Sequence, residues 1–266
     1  MTVSQVIILA GIFLITSIIS VIAGSTSLIT VPLMFEFGVE PRTAIATNMM
    51  ALTFMSIGGT LPFVGKKVIN TRRLPLLIVL TIAGSILGAL LVFIIPSQSM
   101  PFIISISAIA AAVFSVINRN TGVILLDNIP STITEIGGYL ATFILGIYGG
   151  FFSGGYVTLL TATYIMLFRM TFVEAIATTK LINVFSSLIA TLIFMKQGII
   201  DYQLGVILSL AMFIGGVIGG RMTLKLSNAW LQRIYLIAVS ALAFITFHKS
   251  LQQHQSSSAA VESLRG

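Results

Sequence analysis

The chain alternates long apolar stretches without charge with short segments that hold most of its charged residues. Residues 1–35, 74–118 and 136–168 contain no Asp, Glu, Lys or Arg. A helix needs about 20 apolar residues to cross a hydrocarbon core about 30 Å thick, so each stretch is long enough for more than one crossing or for a broken helix. The pattern predicts an all-α, polytopic protein of the cell (cytoplasmic) membrane, surrounded by the lipid bilayer.

Composition and charge agree with a protein that is embedded in lipid. Hydrophobic residues make up 57% of the 266 positions and charged residues only 8%, whereas soluble domains carry about 25% charged residues. The net charge of +7 comes from cations at the ends of apolar segments, as in KKVINTRR at 66–73, which is typical of cytoplasmic loops. No basic face with interleaved aromatic residues is present, which argues against nucleic acid as a partner.

The sequence contains an internal repeat with an offset of 131 residues. AIAT occurs at 44–47 and again at 175–178, and holding that offset without gaps over 24–88 gives 17 identities in 65 positions. An ungapped register over three predicted helices indicates a duplication. We therefore expect a first membrane repeat at 1–118, a linker at 119–132, a second membrane repeat at 133–250 and a disordered tail at 251–266.

Each repeat is predicted to have four segments, the first of which is interrupted by small residues. The interruptions are AGSTS at 23–27 and GGFFSGG at 149–155. A straight helix of about 33 residues would be about 50 Å long, much longer than the hydrocarbon core, and paired glycines favour a break. The remaining predicted helices are 43–65, 74–95 and 101–118 in the first repeat and 172–196, 202–224 and 229–248 in the second.

The distribution of Lys and Arg favours repeats of opposite orientation. If each broken segment returns to its starting side, nine cations near the loops lie inside and three outside, whereas eight full crossings divide them about seven to five. The positive-inside rule prefers the first arrangement. We expect inverted repeats whose breaks face each other across a pseudo-two-fold axis in the membrane plane. Parallel repeats, related by an axis along the membrane normal, are the alternative.

The interruptions are the candidate binding site. Broken helices expose unpaired backbone N–H groups, and the positive end of a helix dipole attracts anions. In transporters built from repeats, such breaks meet near the midplane and hold the substrate. Small residues that only let helices pack closely are the structural alternative. The candidate residues are Gly24, Ser25, Thr26 and Ser27 in the first break and Ser153, Gly154, Gly155 and Tyr156 in the second.

Lys180 lies inside an apolar helix, in ATTKLINVFSSLIATLIF. A cation within a span is costly unless it faces a cavity or a partner, which makes Lys180 a candidate for the positive charge of an anion site. Extension of its side chain to the nearer interface is the alternative, because Lys180 is one or two turns from the predicted helix start. Asn48, Thr179 and Asn183 are predicted to complete a polar patch, with Asn183 on the same helix face as Lys180.

Other chemistry finds little support in the sequence. There are no cysteines, and His248 and His254 lie at the end of the last predicted span and in the tail, so no metal site is expected. We find no nucleophile with a base, no paired acids and no P-loop, which argues against an enzyme or an ATPase, and no cofactor is predicted. No carboxylate lies deep in a predicted span, which argues against transport of cations.

Four segments together resemble the sulfite exporter TauE/SafE family. They are AGSTSLITVPLMFEFGVEPRTAIATN at 23–48, GIYGGFFSGG at 146–155, AIATTKLIN at 175–183 and GGVIGGRM at 215–222. The resemblance implies secondary export of sulfur-containing anions such as sulfite or organosulfonates. Lys180 and Asn183 match the lysine and asparagine of the family's second-half pattern. The chain departs from the pattern at Met49, where members often carry a lysine, which leaves the charge of the substrate open.

The sequence thus predicts a secondary transporter, not an enzyme, that exports small sulfur-containing anions (sulfite, or organosulfonates such as sulfoacetate) through a midplane site between two broken helices. With no ATPase motif and no buried acid, uncoupled export driven by the membrane potential is expected, and a proton carried on the substrate is the alternative. A membrane subunit or assembly factor without transport of its own, and a transporter of another small anion, remain open, as does assembly into a homodimer.

Overall fold

The computed structural model describes residues 2–24, 26–66, 68–69, 71–104, 106, 131–227, 230–231 and 233, and every structural statement below concerns these residues. The predictions for Ser25, for both histidines and for the tail at 251–266 fall outside them. So do the predictions for nearly all of the linker at 119–132 and for most of the helices at 101–118 and 229–248.

The described part of the chain is built from helices. They are α1 (Val3–Ala23), α2 (Ser27–Glu36), α3 (Pro41–Thr60), α4 (Leu74–Ile94), α5 (Thr132–Phe151), α6 (Tyr156–Phe168), α7 (Phe172–Lys196) and α8 (Tyr202–Lys225), with 3-10 turns at Leu61–Phe63 and Ser97–Ser99. Five segments are long and apolar enough to cross a membrane: α1, α4, α7, α8 and Pro41–Phe63, which contains α3. The prediction of an all-helical, multi-pass membrane protein is confirmed.

The two short helices, α2 and α6, follow the interrupted stretches of the sequence. They have 10 and 13 residues. At a rise of 1.5 Å per residue they reach only about 15 and 20 Å, which is less than the thickness of a hydrocarbon core. Neither α2 nor α6 can therefore cross the membrane as a separate helix.

Local sequence explains where the longer helices begin. Pro41 stands at the first position of α3, where a missing N–H costs nothing, and the Glu40 carboxylate accepts a hydrogen bond from the Thr43 N–H at 2.9 Å. The Thr171 hydroxyl caps α7, and the Asp201 carboxylate caps α8 by accepting from the backbone N–H three residues later. These caps start α3, α7 and α8 within two residues of the predicted positions.

Helices of the two halves pack crosswise, which here means that helices of one half lie against helices of the other. α4 packs against α5 and α7, whereas α8 packs against α1 and α3, and α3 and α7 contact each other. Glycines allow this close approach. A Cβ at Gly84 on α4 would lie 2.5 Å from the Phe143 carbonyl oxygen on α5, and a Cβ at Gly215 on α8 would lie 2.7 Å from the Leu14 carbonyl oxygen on α1. Small residues let membrane helices pack through their backbones.

The burial pattern is that of a protein surrounded by lipid. Apolar side chains on the outer faces are widely exposed, including Ile15 at 59%, Val79 at 61% and Leu210 at 61%. Polar side chains lie inside, and Asn48 and Lys180 are both 0% exposed. Large exposed apolar surfaces mark contact with a membrane or a partner. The described helices therefore bury polar side chains in the protein interior and expose apolar side chains on their outer faces.

An ion pair joins the start of α4 to the start of α5. The Arg73 guanidinium donates from Nε to the Glu135 carboxylate at 2.9 Å, and a second N–H donates to the same oxygen. The guanidinium carbon also lies 5.2 Å from the centre of the Phe168 ring at the end of α6. The side chains of Arg73 and Glu135 are 18% and 33% exposed. Partial shielding from water strengthens such a pair relative to a fully exposed one.

We expect Arg73 and Glu135 to show a coupling free energy of about 1 kcal/mol in a double-mutant cycle, at the upper end of the range for exposed pairs. Arg73→Gln and Glu135→Gln each leave one charge without its partner, whereas the double variant leaves none. Reversible unfolding in mixed detergent micelles gives the free energy of unfolding of each variant. Strictly additive losses would show that the pair contributes nothing to stability.

Candidate functional site

Two short breaks separate α1 from α2 and α5 from α6. In the first break, Gly24 directly follows α1 and has a φ of +80°. In the second break, Ser153 and Gly155 have φ values of +63° and +78°. A left-handed residue ends an α-helix, and it favours glycine because a Cβ is strained there. Ser153 adopts this conformation in spite of its side chain.

The two breaks lie in direct contact with each other. The Thr158 hydroxyl in the first turn of α6 donates to the Ala23 carbonyl at the end of α1, at 2.5 Å. A Cβ at Gly24 would lie 2.6 Å from the Thr158 backbone nitrogen, and a Cβ at Gly154 would lie 2.7 Å from Leu28 Cδ2. The structure thus brings the described residues of both predicted sets into contact, although the two breaks are 131 residues apart in the sequence register.

The described polar side chains of the breaks are buried, and those of the first break are hydrogen-bonded. Ser27 Oγ accepts from Asn48 Nδ2 at 2.9 Å, and the Thr26 hydroxyl donates to the Met55 sulfur at 3.5 Å. The Gly154 carbonyl accepts a hydrogen bond from the Tyr148 hydroxyl. Thr26, Ser27, Ser153 and Tyr156 are each less than 5% exposed. Only polar groups with partners are cheap to bury, so these bonds hold the breaks in a fixed conformation.

Lys180 lies beside the first break. Its side chain is 0% exposed, and Nζ donates to the Ser20 carbonyl in the last turn of α1 at 2.8 Å. The Gly24 N–H donates to the same oxygen, also at 2.8 Å. Carbonyls at the end of a helix carry the negative pole of its dipole, which favours a cation. Within the described residues, no carboxylate pairs with Lys180.

The side chain of Lys180 does not extend to the protein surface, which was the alternative interpretation of the sequence. It runs inward from α7 past Gly59 on α3, where an added Cβ would lie 3.6 Å from Lys180 Cδ. The ammonium therefore lies between α7, α1 and α3. A buried cation without an anionic partner is costly in a protein interior.

Asn48, Thr179 and Asn183 are buried, but each has its own partner. Asn48 Oδ1 accepts from the Thr30 hydroxyl at 2.8 Å, and the Thr179 and Thr161 hydroxyl oxygens are 3.2 Å apart. Asn183 Nδ2 donates to Ser56 Oγ at 2.6 Å. None of the three hydrogen-bonds to Lys180 within the described residues. Asn183 Oδ1 accepts no hydrogen bond within the described residues, and Asn183 lies three residues after Lys180 on α7.

Sequence reasoning did not single out several residues that hold this region together. They are Ser20, Thr30, Ser56, Thr158 and Thr161. A signal was available for three of them, because Thr30 and Thr161 are identical in the 131-residue register and Ser56 is identical to its equivalent Ser187. Ser20 contributes its backbone carbonyl, which no residue pattern reveals.

The fold and this site define the class of the molecule as a multi-pass membrane protein with a buried cation beside two helix breaks. The model of the family "Sulfite exporter TauE/SafE" matches residues 8–245. The chain belongs to this family, and it is a membrane transporter.

Three relatives, each named a probable membrane transporter protein, match most of the chain. It is 27% identical over 229 residues to the probable membrane transporter protein ORF9 of Sinorhizobium sp, a match of 86% of this chain and 87% of that protein. It is 27% identical over 225 residues to the probable membrane transporter protein YfcA of Escherichia coli K12, with 83% and 81% covered. A probable membrane transporter protein of Haemophilus influenzae is 25% identical over 227 residues, with 84% and 87% covered. No solved structure matches the chain significantly.

Proposed function

We propose that the chain is a secondary transporter that exports small sulfur-containing anions, sulfite or organosulfonates, and binds them between the two helix breaks. The observation that carries the proposal is Lys180, a fully buried cation whose described surroundings hold a backbone carbonyl but no carboxylate. An anion supplies the charge that this site lacks, since a buried charge needs a partner.

The positions of the breaks support binding at this place. α2 and α6 begin at the breaks, so their first N–H groups and the positive ends of their dipoles lie there. The hydroxyls of Ser27 and Ser153 and the Lys180 ammonium add donors that a sulfite or sulfonate oxygen accepts. Gly24 and Gly154 let the two breaks approach each other closely, and Gly155 adopts the left-handed conformation directly before α6. Thr26, Asn48, Thr179 and Asn183 support these groups from the surrounding helices.

Equivalent contacts in both halves support an origin as two repeats, and the distribution of Lys and Arg favours their opposite orientation. Gly24 and Gly155 are equivalent in the 131-residue register and have φ values of +80° and +78°. Gly84 and Gly215 are equivalent too, and each lies against a backbone carbonyl of the interrupted segment of the other half. A pseudo-two-fold relation between the halves explains why α4 and α8 pack crosswise in the same manner. Inverted repeats of this kind are a common basis of alternating access.

A single lysine suits a singly charged substrate. The residue equivalent to Lys180 in the 131-residue register is Met49, which is 0% exposed. One cation and one monoanion leave no net charge in the site, whereas a dianion leaves one negative charge buried. Hydrogen sulfite and simple sulfonates are monoanions, and sulfate and sulfoacetate are dianions. Within the class of sulfur oxyanions, we therefore propose a preference for monoanions.

The membrane potential can drive such export without a coupled ion. An anion that leaves a cell with a negative interior gains about 2.3 kcal/mol per charge per 100 mV. That energy supports a concentration ratio of roughly fifty, because each 1.4 kcal/mol is a factor of ten. A site that opens alternately to the two faces suffices. Transport of a proton bound to the substrate is the competing mechanism, and it would lower the response to voltage.

Binding to the purified protein tests the proposal. We expect hydrogen sulfite and a simple sulfonate such as methanesulfonate to raise the unfolding temperature in detergent in a saturable manner, since a ligand that binds only the folded state stabilises it. Sulfate and sulfoacetate should do so more weakly, and exchanging the cation of these salts among sodium, potassium and ammonium should not change the shift. Equal shifts for all salts would indicate ionic strength alone and would contradict the proposal.

A further inference from the structure

Two fully buried hydroxyl groups beside the second break make no hydrogen bond of normal geometry within the described residues. They belong to Tyr156, the first residue of α6, and to Thr81 on α4, and both side chains are 0% exposed. The Tyr156 hydroxyl lies beside those of Thr81 and Ser186, without a bond of normal geometry to either. Ser186 in turn accepts a hydrogen bond from Ser85 at 2.8 Å. We call these four residues (Thr81, Ser85, Tyr156 and Ser186) the hydroxyl cluster.

The hydroxyl cluster joins elements from both halves of the chain. Thr81 and Ser85 are one turn apart on α4, Ser186 is on α7, and Tyr156 stands at the break before α6. The Tyr156 ring lies against Gly149, where an added Cβ would come within 2.9 Å of it. The ring therefore has no room to turn toward α5, and its hydroxyl is held between α4 and α7.

Packing alone does not require polar residues at these positions. In the 131-residue register, Met212 is equivalent to Thr81 and Met55 to Ser186. Both methionines are buried, at 0% and 1% exposed, so apolar side chains fill the corresponding places in the other half. Native proteins seldom leave buried hydroxyls without partners, and such groups call for an explanation. Thr81 and Ser186 are therefore polar where the equivalent positions hold methionine, whereas the residue equivalent to Tyr156 is Ser25.

The cluster lies on the same helix as the proposed cation. Lys180, Asn183 and Ser186 are three residues apart on α7 and follow each other turn by turn. Six residues of helix separate Lys180 from Ser186 by about 9 Å along the axis. Asn183, between them, has an amide oxygen without a partner. Lys180 and Ser186 thus lie within two turns of one helix but about 120° apart around its axis, with the lysine toward α1 and α3 and the serine toward α4.

We propose that the hydroxyl cluster binds the oxygen atoms of the transported anion and selects oxyanions over halides. This inference rests on the proposed function, because it assigns a second part of the same binding site. Lys180 supplies charge, to which chloride and hydrogen sulfite respond alike. Tyr156 and Thr81 each supply an O–H donor, and an oxyanion has several oxygens that can accept hydrogen bonds from both donors at once. A halide is a single atom and does not offer a separate acceptor atom to each of the two donors.

Isosteric variants that lack only the hydroxyl test the hydroxyl cluster. Tyr156→Phe and Thr81→Val should each weaken hydrogen sulfite binding about tenfold, measured by calorimetry on the purified full-length protein. Binding of bromide, measured as competition, should stay within about twofold of the parent. Tyr164→Phe and Thr223→Val are matched controls. Both residues are fully buried, but Tyr164 accepts a bond from Thr142 and Thr223 donates within its own helix, so sulfite binding should not change.

A second readout separates ligand binding from a structural role. Because the two hydroxyls make no hydrogen bond of normal geometry within the described residues, Tyr156→Phe and Thr81→Val should unfold without ligand at the same temperature as the parent or higher. Sulfite affinity equal to that of the parent in both variants, or an equal loss for sulfite and bromide, would overturn the hydroxyl cluster alone. If the parent protein binds no sulfur oxyanion, the proposed function and this inference fail together.

Discussion

Lys180→Met should reduce hydrogen sulfite binding by about a hundredfold or more, with normal expression and membrane insertion. Methionine has a similar length and no charge, and truncating one partner of a buried charge pair costs about 2–5 kcal/mol, with each 1.4 kcal/mol a factor of ten. The Ser20 carbonyl keeps its bond from the Gly24 N–H, so the end of α1 stays satisfied. Calorimetry on the purified variant measures the loss.

Lys196→Met is the matched control for this experiment. Lys196 is the last residue of the same helix and is exposed, so it contributes no charge to the interior. We expect its sulfite affinity to equal that of the parent. Unchanged affinity in Lys180→Met, with the control also unchanged, would show that Lys180 only caps α1 and that the proposed anion site is wrong.

Gly24→Ala should destabilise the protein by about 3 kcal/mol and remove transport. Alanine at a φ of +80° costs about 1–2 kcal/mol, and the new Cβ would lie 2.6 Å from the Thr158 backbone nitrogen, which adds about 1–3 kcal/mol of overpacking. The contact between the breaks must open for the methyl group to fit. Unfolding in mixed micelles measures the stability, and flux in proteoliposomes measures transport.

Gly38→Ala separates backbone strain from the contact between the breaks. Gly38 also has a φ of +80°, but nothing lies within 4 Å of its Cβ position. It should lose only the strain of about 1–2 kcal/mol and keep its transport rate. Equal losses of stability and transport in both variants would contradict the view that the contact at Gly24 positions the site.

Within the described residues, the sequence alone predicted the long helices and most of their ends. Uncharged stretches predicted the spans, and the capping residues Glu40, Thr171 and Asp201 start α3, α7 and α8 close to the expected positions. Membrane spans are readable in this way because their length and apolarity follow from the bilayer itself.

The partners of the buried polar groups could not be predicted. Lys180 bonds to a backbone carbonyl 160 positions away, at Ser20, and Asn183 bonds to Ser56 on another helix. In a membrane helix both the buried face and the lipid-facing face are apolar. The sequence pattern therefore does not show which helix a serine or threonine side chain faces. The unpartnered hydroxyls of Tyr156 and Thr81 are visible only once α4, α6 and α7 are packed together.

The most direct test of the account is the efflux of labelled sulfite from proteoliposomes with an imposed potassium diffusion potential, negative inside, and no pH gradient. We predict protein-dependent efflux that accelerates with the potential, is competed by methanesulfonate and is absent in Lys180→Met. Flux that ignores the potential but follows a pH gradient would reject the uncoupled mechanism and leave the substrate class intact. No sulfite efflux above that of protein-free liposomes, or equal efflux through Lys180→Met, would contradict the central claim.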